Sequence, residues 1–189
     1  MILGYNVVNI FFALIAMMLG INYPDIDLKT KFLSHRSMVT HSPLLSFVLY
    51  YFAVKNNSLE LEYFVIGFSL AVALHLTFDF FPKAWVGSAL IKPSLNGVTF
   101  SKFFILFSIA LSYFLSFKLM RGIAEFKLFL ILSCIFYMIL AKKEENKLKP
   151  LVLFIFSYIF IGNMHYPSFF KPLLSKIFEM FSSFFYYIF

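Results

Sequence analysis

The chain has 189 residues, of which 61% are hydrophobic and only 13% charged, and its mean hydropathy is +0.87. Soluble domains carry about 25% charged residues, and 29 Phe are more than one small soluble core can hide, so an ordinary water-soluble fold is excluded. The net charge of +7 does not point to nucleic acid, because the basic residues fall in short gaps between apolar runs, where membrane topology and anionic lipid headgroups account for them.

Apolar runs of about 20 residues are long enough to cross roughly 30 Å of hydrocarbon as helices. The first run is Leu3 to Asn22. Met1 to Ile21 lacks the basic start of a signal peptide, since the first Lys is Lys29, so it reads as a retained span. The second run goes from Ser42 to Val54, and Ser42-Pro43 has the signature of an N-cap and first helical position. The third is Glu62 to Phe81, the fourth Ser101 to Phe117, the fifth Phe126 to Ala141 and the sixth Leu151 to Met164. The tail from Pro167 to Phe189 is rich in Phe and interrupted by Lys171, Lys176 and Glu179, as in an amphipathic helix lying in the interface. Lipid leaves no partner for free backbone groups, so the spans must be helical. The expected fold is therefore an all-α, polytopic integral membrane bundle with about six transmembrane helices and a C-terminal amphipathic helix. It forms a single membrane domain, with a core at 1–99 and additional helices and the tail at 100–189. Two connections are long, Tyr23 to His41 and Pro82 to Thr99. The second holds Pro82, Gly87, Pro93 and Gly97, and is expected to be irregular and to fold over the site as a lid, with Trp85 near the interface.

More basic residues fall on the side where the first run ends than on the side of the N-terminus, which places the former in the cytoplasm. Three clusters of ionisable residues gather on that side. Asp25 and Asp27 follow the first span, His35, Arg36 and His41 precede the second, and His75 and Asp79 lie near the end of the third. His75 and Asp79 are four apart and share a helix face. A carboxylate inside an apolar run costs about 2.5–3.5 kcal/mol at the bilayer centre, so it needs a partner or a function. Taken singly, each cluster has a structural explanation: a His–Asp pair tying helices together, an interfacial turn, a basic loop. Their convergence on one side favours a metal site. His165 follows the sixth span and is expected on the opposite side.

Cys134 is the only cysteine, so no thiolate zinc site exists and any metal must use His and carboxylate. Asp25, Asp27, His35, His41, His75 and Asp79 are enough for one or two divalent ions, with zinc or manganese as the leading candidates. Arg36 and the N-terminus of the second span would favour an anionic, phosphoester-like substrate.

Pro-Asp-x-Asp after a first span, then His-Arg-x-x-x-Thr-His-Ser, then His-x-x-x-Asp in a later span, resembles the YdjM-like family of inner-membrane metal-dependent hydrolases. The resemblance covers about Gly20 to Pro93. Where that family often has His-Arg-Gly-x-Thr-His-Ser, this chain has Ser37, Met38 and Val39 in a longer gap. The resemblance implies ligand roles for the same three Asp and three His, supporting roles for Arg36, Thr40 and Ser42, and a multi-pass location in the inner (plasma) membrane. Membrane phosphatases of the phosphatidic-acid type share only the His-x-x-x-Asp pair: Ser69, not Arg, lies six residues before His75, and no Pro-Ser-Gly-His occurs.

The expected activity is hydrolysis, at the cytoplasmic interface, of an amphiphilic substrate such as a phospholipid or isoprenoid phosphoester. A metal would activate water, Asp25 or Asp79 would serve as general base, and Arg36 would stabilise developing charge. Membrane lipids are the expected surroundings, and no partner protein is indicated. A transporter or metal-handling protein is the rival, although the fourth to sixth spans carry, apart from Lys102 and Lys127 at their ends and Asn163, only Ser, Cys134 and Tyr as polar residues. A non-catalytic scaffold is a third reading.

Overall fold

The computed structural model describes residues 7–30, 37–81, 102–143, 147–172, 174–176 and 179. The described residues form helices joined by turns and short connections, with no β-sheet among them. In chain order the helices are α1 (Val7–Asn22), α2 (Ile26–Lys29), α3 (Leu44–Asn56), α4 (Leu59–Asp79), α5 (Lys102–Leu119), α6 (Ile123–Lys143) and α7 (Leu148–His165).

Each long helix follows one of the apolar runs in the sequence. Three of them are long and apolar enough to cross a membrane: Leu59–Asp79, Ile123–Lys142 and Leu148–His165. Val7–Asn22, Leu44–Asn56 and Phe103–Leu119 are shorter apolar helices. The 13 residues of α3 extend only about 20 Å at 1.5 Å per residue. Its end is set by Asn57, which takes a left-handed backbone conformation (φ 50) that closes a helix C-terminus. The connection Pro82–Thr99, with Trp85, lies outside the described residues, so the expected lid does too. The expected tail helix is described in part: residues 167–172 are helical, and Phe170 packs on Phe126 at the start of α6.

The hub of the bundle is α4, which packs against α1, α3, α5, α6 and α7. Its sequence is apolar on every side, as suits a helix with neighbours all round, and Val65 to Leu74 are buried without a break. The helix starts with Leu59 at one end of the bundle, and His75 to Asp79 reach the other. The pairing of α4 with α1 is the closest. A Cβ on Gly20 would lie 2.6 Å from the Phe68 carbonyl oxygen, and one on Gly67 would run into the Ala13 carbonyl. Ala16-x-x-x-Gly20 and Gly67-x-x-x-Ala71 therefore form a seam of small residues that lets the two backbones touch. Along this seam α1 and α4 run parallel, and α6 runs with them, bringing Tyr63 to Phe129 near its start and Phe78 to Tyr137 near its end. The directions of α3, α5 and α7 are opposite, so successive long helices alternate in direction. This alternation puts the ends of α1 and α4 and the start of α3 at the same end of the bundle.

Candidate metal centre

Two chain features build this end. The first is the parallel seam of α1 and α4, which sets the end of α1 beside the last turn of α4. There the Ile21 carbonyl oxygen lies 2.7 Å from His75 Nδ1. The second is the turn Ser37–His41, closed by Thr40 N and His41 N donating to the Ser37 carbonyl at 3.1 and 2.8 Å. Ser37 Oγ accepts from Val39 N at 3.2 Å, a local bond that Ser commonly makes in turns. Tyr23 Oη donates to the Val39 carbonyl at 2.9 Å and ties this turn to the end of α1.

The helical spacing of His75 and Asp79 gives the contact expected of it: His75 Nε2 is 3.3 Å from Asp79 Oδ2. His41 reaches the same oxygen from the turn, with Nε2 at 3.2 Å. The two imidazoles stand edge to face, with ring centroids 6.3 Å apart. One donor atom from each of His41, His75 and Asp79 lies within 4.8 Å of the others, so this group could hold a metal ion.

The hydrogen-bond partners assign the imidazole tautomers. His75 Nδ1 faces a carbonyl oxygen at 2.7 Å, and two acceptors cannot share that distance, so Nδ1 carries the proton. His41 Nδ1 lies 3.0 Å from Thr40 Oγ1 and 3.2 Å from Asp27 Oδ2. A bare nitrogen lone pair beside a carboxylate would be repelled, so this Nδ1 is protonated too. It donates to Thr40 Oγ1, which lies 3.4 Å from Asp27 Oδ2 and donates to it. With Nδ1 engaged in each ring, both Nε2 atoms face Asp79 Oδ2, where either a second ring proton or a metal ion would be held. That oxygen is shielded from solvent, with two ring nitrogens within 3.3 Å of it. Donors around one zinc, bonded at about 2.0–2.2 Å, are roughly 3–4 Å apart, and the spacings of 3.2 and 3.3 Å from Asp79 Oδ2 to the ring nitrogens fall in that range.

The other expected ligands take different places. Asp27 is 2% exposed and sits behind His41, on its Nδ1 side, where Ser37 N also donates to its Oδ2 at 3.0 Å. Expected as a direct ligand, it lies on the Nδ1 side of His41, away from the Nε2 atom that faces Asp79. Such a carboxylate fixes ring orientation and raises the basicity of the metal-facing nitrogen. Asp25 Oδ1 is 3.6 Å from His75 Nε2, and its side chain is 49% exposed, so it stands at the solvent rim of the group. His35 and Arg36 lie outside the described residues. Thr40 is the hydroxyl between His41 and Asp27. Ser42 Oγ accepts from Leu44 N at 3.3 Å and serves the start of α3.

His165 sits at the other end of the bundle, its ring against Phe114 and Phe117 near the end of α5. The start of α4 is at that end as well, where Glu62 pairs with Arg121.

Sequence reasoning missed the Ile21 carbonyl and the glycine seam. The carbonyl has no side-chain signature. The seam had one, the paired small-x-x-x-small spacings in α1 and α4. No protein-family model matches the chain. No curated protein and no solved structure matches it. The geometry of the site therefore carries the functional reading.

Proposed function

We propose that this membrane protein is a metal-dependent hydrolase of the inner membrane, acting at the cytoplasmic interface on an amphiphilic, phosphoester-like substrate. One observation carries the reading: both histidines turn Nε2 to the same buried Asp79 oxygen while their Nδ1 atoms are held by acceptors behind them. A ring whose Nδ1 is held in this way can offer Nε2 to a metal.

Three protein ligands leave coordination positions open, the pattern of catalytic rather than structural zinc sites. Two imidazoles and a carboxylate suit zinc or manganese. A divalent ion held there would lower the pKa of coordinated water, to about 7 for zinc. With Asp79 engaged as a ligand, Asp25 becomes the general base, because its half-exposed carboxylate stands at the rim beside His75 where water enters. Asp27 and Thr40 hold His41 in register. The location of the site supports an amphiphilic substrate: it lies at the end of a bundle of apolar helices, where a polar headgroup and a hydrocarbon chain meet different surroundings. The motif resemblance to the YdjM-like family points the same way.

The experiment is metal analysis of the purified full-length protein beside His75→Ala and Asp79→Asn, followed by turnover of alkyl phosphate esters with the metal found. Wild type should carry zinc or manganese near stoichiometrically, and each variant at least about tenfold less, since loss of merely supporting residues costs about 10–100-fold in affinity. Equal metal in all three proteins would refute the site. Stoichiometric metal without turnover of any ester would keep the metal and remove the hydrolase.

A further inference from the structure

The turn that carries His41 has two sides. Ser37, Thr40 and His41 face inward and are buried in the metal centre. Met38, Ser42 and Pro43 form the end wall of an apolar groove between α3 and α5, about 300 Å³ in volume. Leu44 and Phe47 line one flank of this groove, and Phe104, Phe107 and Leu111 the other. Their spacings, three apart on α3 and three then four on α5, set them along one face of each helix. Ser42, the one lining side chain with a polar group among the described residues, turns its hydroxyl back to Leu44 N, so the described walls offer a ligand no polar partner.

We propose that this groove seats the hydrocarbon chain of the substrate whose headgroup lies at the metal centre. The proposal deepens the hydrolase reading and rests on it for the headgroup chemistry.

Three features argue for a chain. The groove begins at Ser42, one residue from His41, and adjacent Cα atoms are about 3.8 Å apart, so groove and centre share a wall. A wall without donors or acceptors cannot satisfy a peptide backbone, whereas a hydrocarbon chain needs none. The volume is at the small end of the roughly 300–1,000 Å³ typical of ligand pockets, which suits one chain. Phe107 and Leu111 also line a second apolar groove, about 390 Å³, between α5 and α7, with Leu153, Phe156 and Phe160 on its far side. A chain too long for the first groove passes over Phe107 and Leu111 into the second. Lipid tails already surround this surface and are as apolar as Leu, so no hydrophobic gain distinguishes groove from bilayer. The groove therefore sets where the chain lies and how long it can be.

The probe is an alkyl monophosphate with a photoreactive diazirine at the chain end, in a short (octyl) and a long (hexadecyl) form. It is cross-linked to the full-length protein in lipid nanodiscs and mapped by peptide mass spectrometry. The short probe should label α3 and α5 around Phe47 and Phe107, and the long probe should label α7 around Phe156. Leu111→Trp should cut long-probe labelling of α7 severalfold and leave the short-probe pattern in place, while Leu111→Ala, which removes bulk at the crossing, should raise it. Labelling spread evenly over the exposed Ile131, Ile135 and Met138 of α6, or α7 labelling that neither Leu111 variant alters, would overturn the groove. Mapping needs neither metal nor turnover. Scattered label in a protein that binds metal and hydrolyses esters therefore defeats the groove alone. Groove-confined label in a protein without metal defeats the hydrolase and leaves a chain-binding site.

Discussion

The two ends of α4 meet charged side chains in different ways. At its start, Glu62 pairs with Arg121 at 2.7 Å, while Glu125 accepts from Tyr63 Oη and from Arg121 N at 2.7 Å each. Opposite charges and hydrogen-bond donors satisfy each other there, and the cluster latches α4 to the α5–α6 connection. At its finish, the Asp79 carboxylate faces two imidazole nitrogens, and the Asp25 carboxylate faces one of them from the rim. The first cluster is complete in protein atoms alone. The second gathers donor atoms of His41, His75 and Asp79 that could hold a metal ion. Buried polar groups in themselves therefore do not mark a site. The mark is a set of possible ligand atoms within reach of one point.

The largest effect expected from disturbing this contrast lies in the seam. Gly67→Ala adds a methyl that runs into the Ala13 carbonyl. Ala is favoured over Gly in a helix by about 1 kcal/mol, so steric cost and helix propensity oppose each other. Overpacking costs about 1–3 kcal/mol, and it wins here because the obstacle is backbone. Thermal unfolding in detergent should show a lower Tm, and bound metal should fall with it, since the seam sets the distance from the Ile21 carbonyl to His75. An unchanged Tm with full metal would separate the seam from the site.

Asp27→Asn comes next. The amide keeps the volume but removes the charge that holds the proton on His41 Nδ1, so Thr40 and the new amide can settle with the other tautomer. Outer carboxylates of this kind are worth about 10–100-fold in metal affinity, and calorimetric titration with zinc should show a loss of that size with the fold intact. If Asp27 were itself a ligand, the loss would match that of Asp79→Asn.

The features legible in the sequence were those written in side-chain spacing. The helices follow the apolar runs because a buried or lipid-facing helix leaves a run of that length. His75 and Asp79 meet because four residues make about one turn. The alternation of directions brought Asp25, Asp27 and His41 to the same end. The position of Asp27 on the Nδ1 side of His41 was not legible, because it depends on which edge of an imidazole a four-residue helix reaches. The Ile21 carbonyl was not legible because every residue has one. Span lengths were legible only coarsely: Pro43 and Asn57 bound α3, and it is shorter than a span needs if measured as helix alone.

The smallest expected effect belongs to the opposite end, and it sharpens the comparison. Arg121 is 56% exposed at its side chain, and Glu62, its partner, 12%. An ion pair with one exposed member is worth about 0–1 kcal/mol, because water screens it and two side chains must be held in place. Arg121→Ala leaves the Glu62 carboxylate near the surface, where solvent can take over, and keeps the backbone N–H that donates to Glu125. The Tm should move by only a few degrees, and metal content should equal wild type. About 20 Å, thirteen residues of α4 at 1.5 Å each, separates Glu62 from His75, well beyond the roughly 8 Å Debye length at physiological salt. A drop in metal content on removing Arg121 would mean that the two ends are coupled through α4, and the distinction between a self-satisfied latch and a cation-seeking centre would fail.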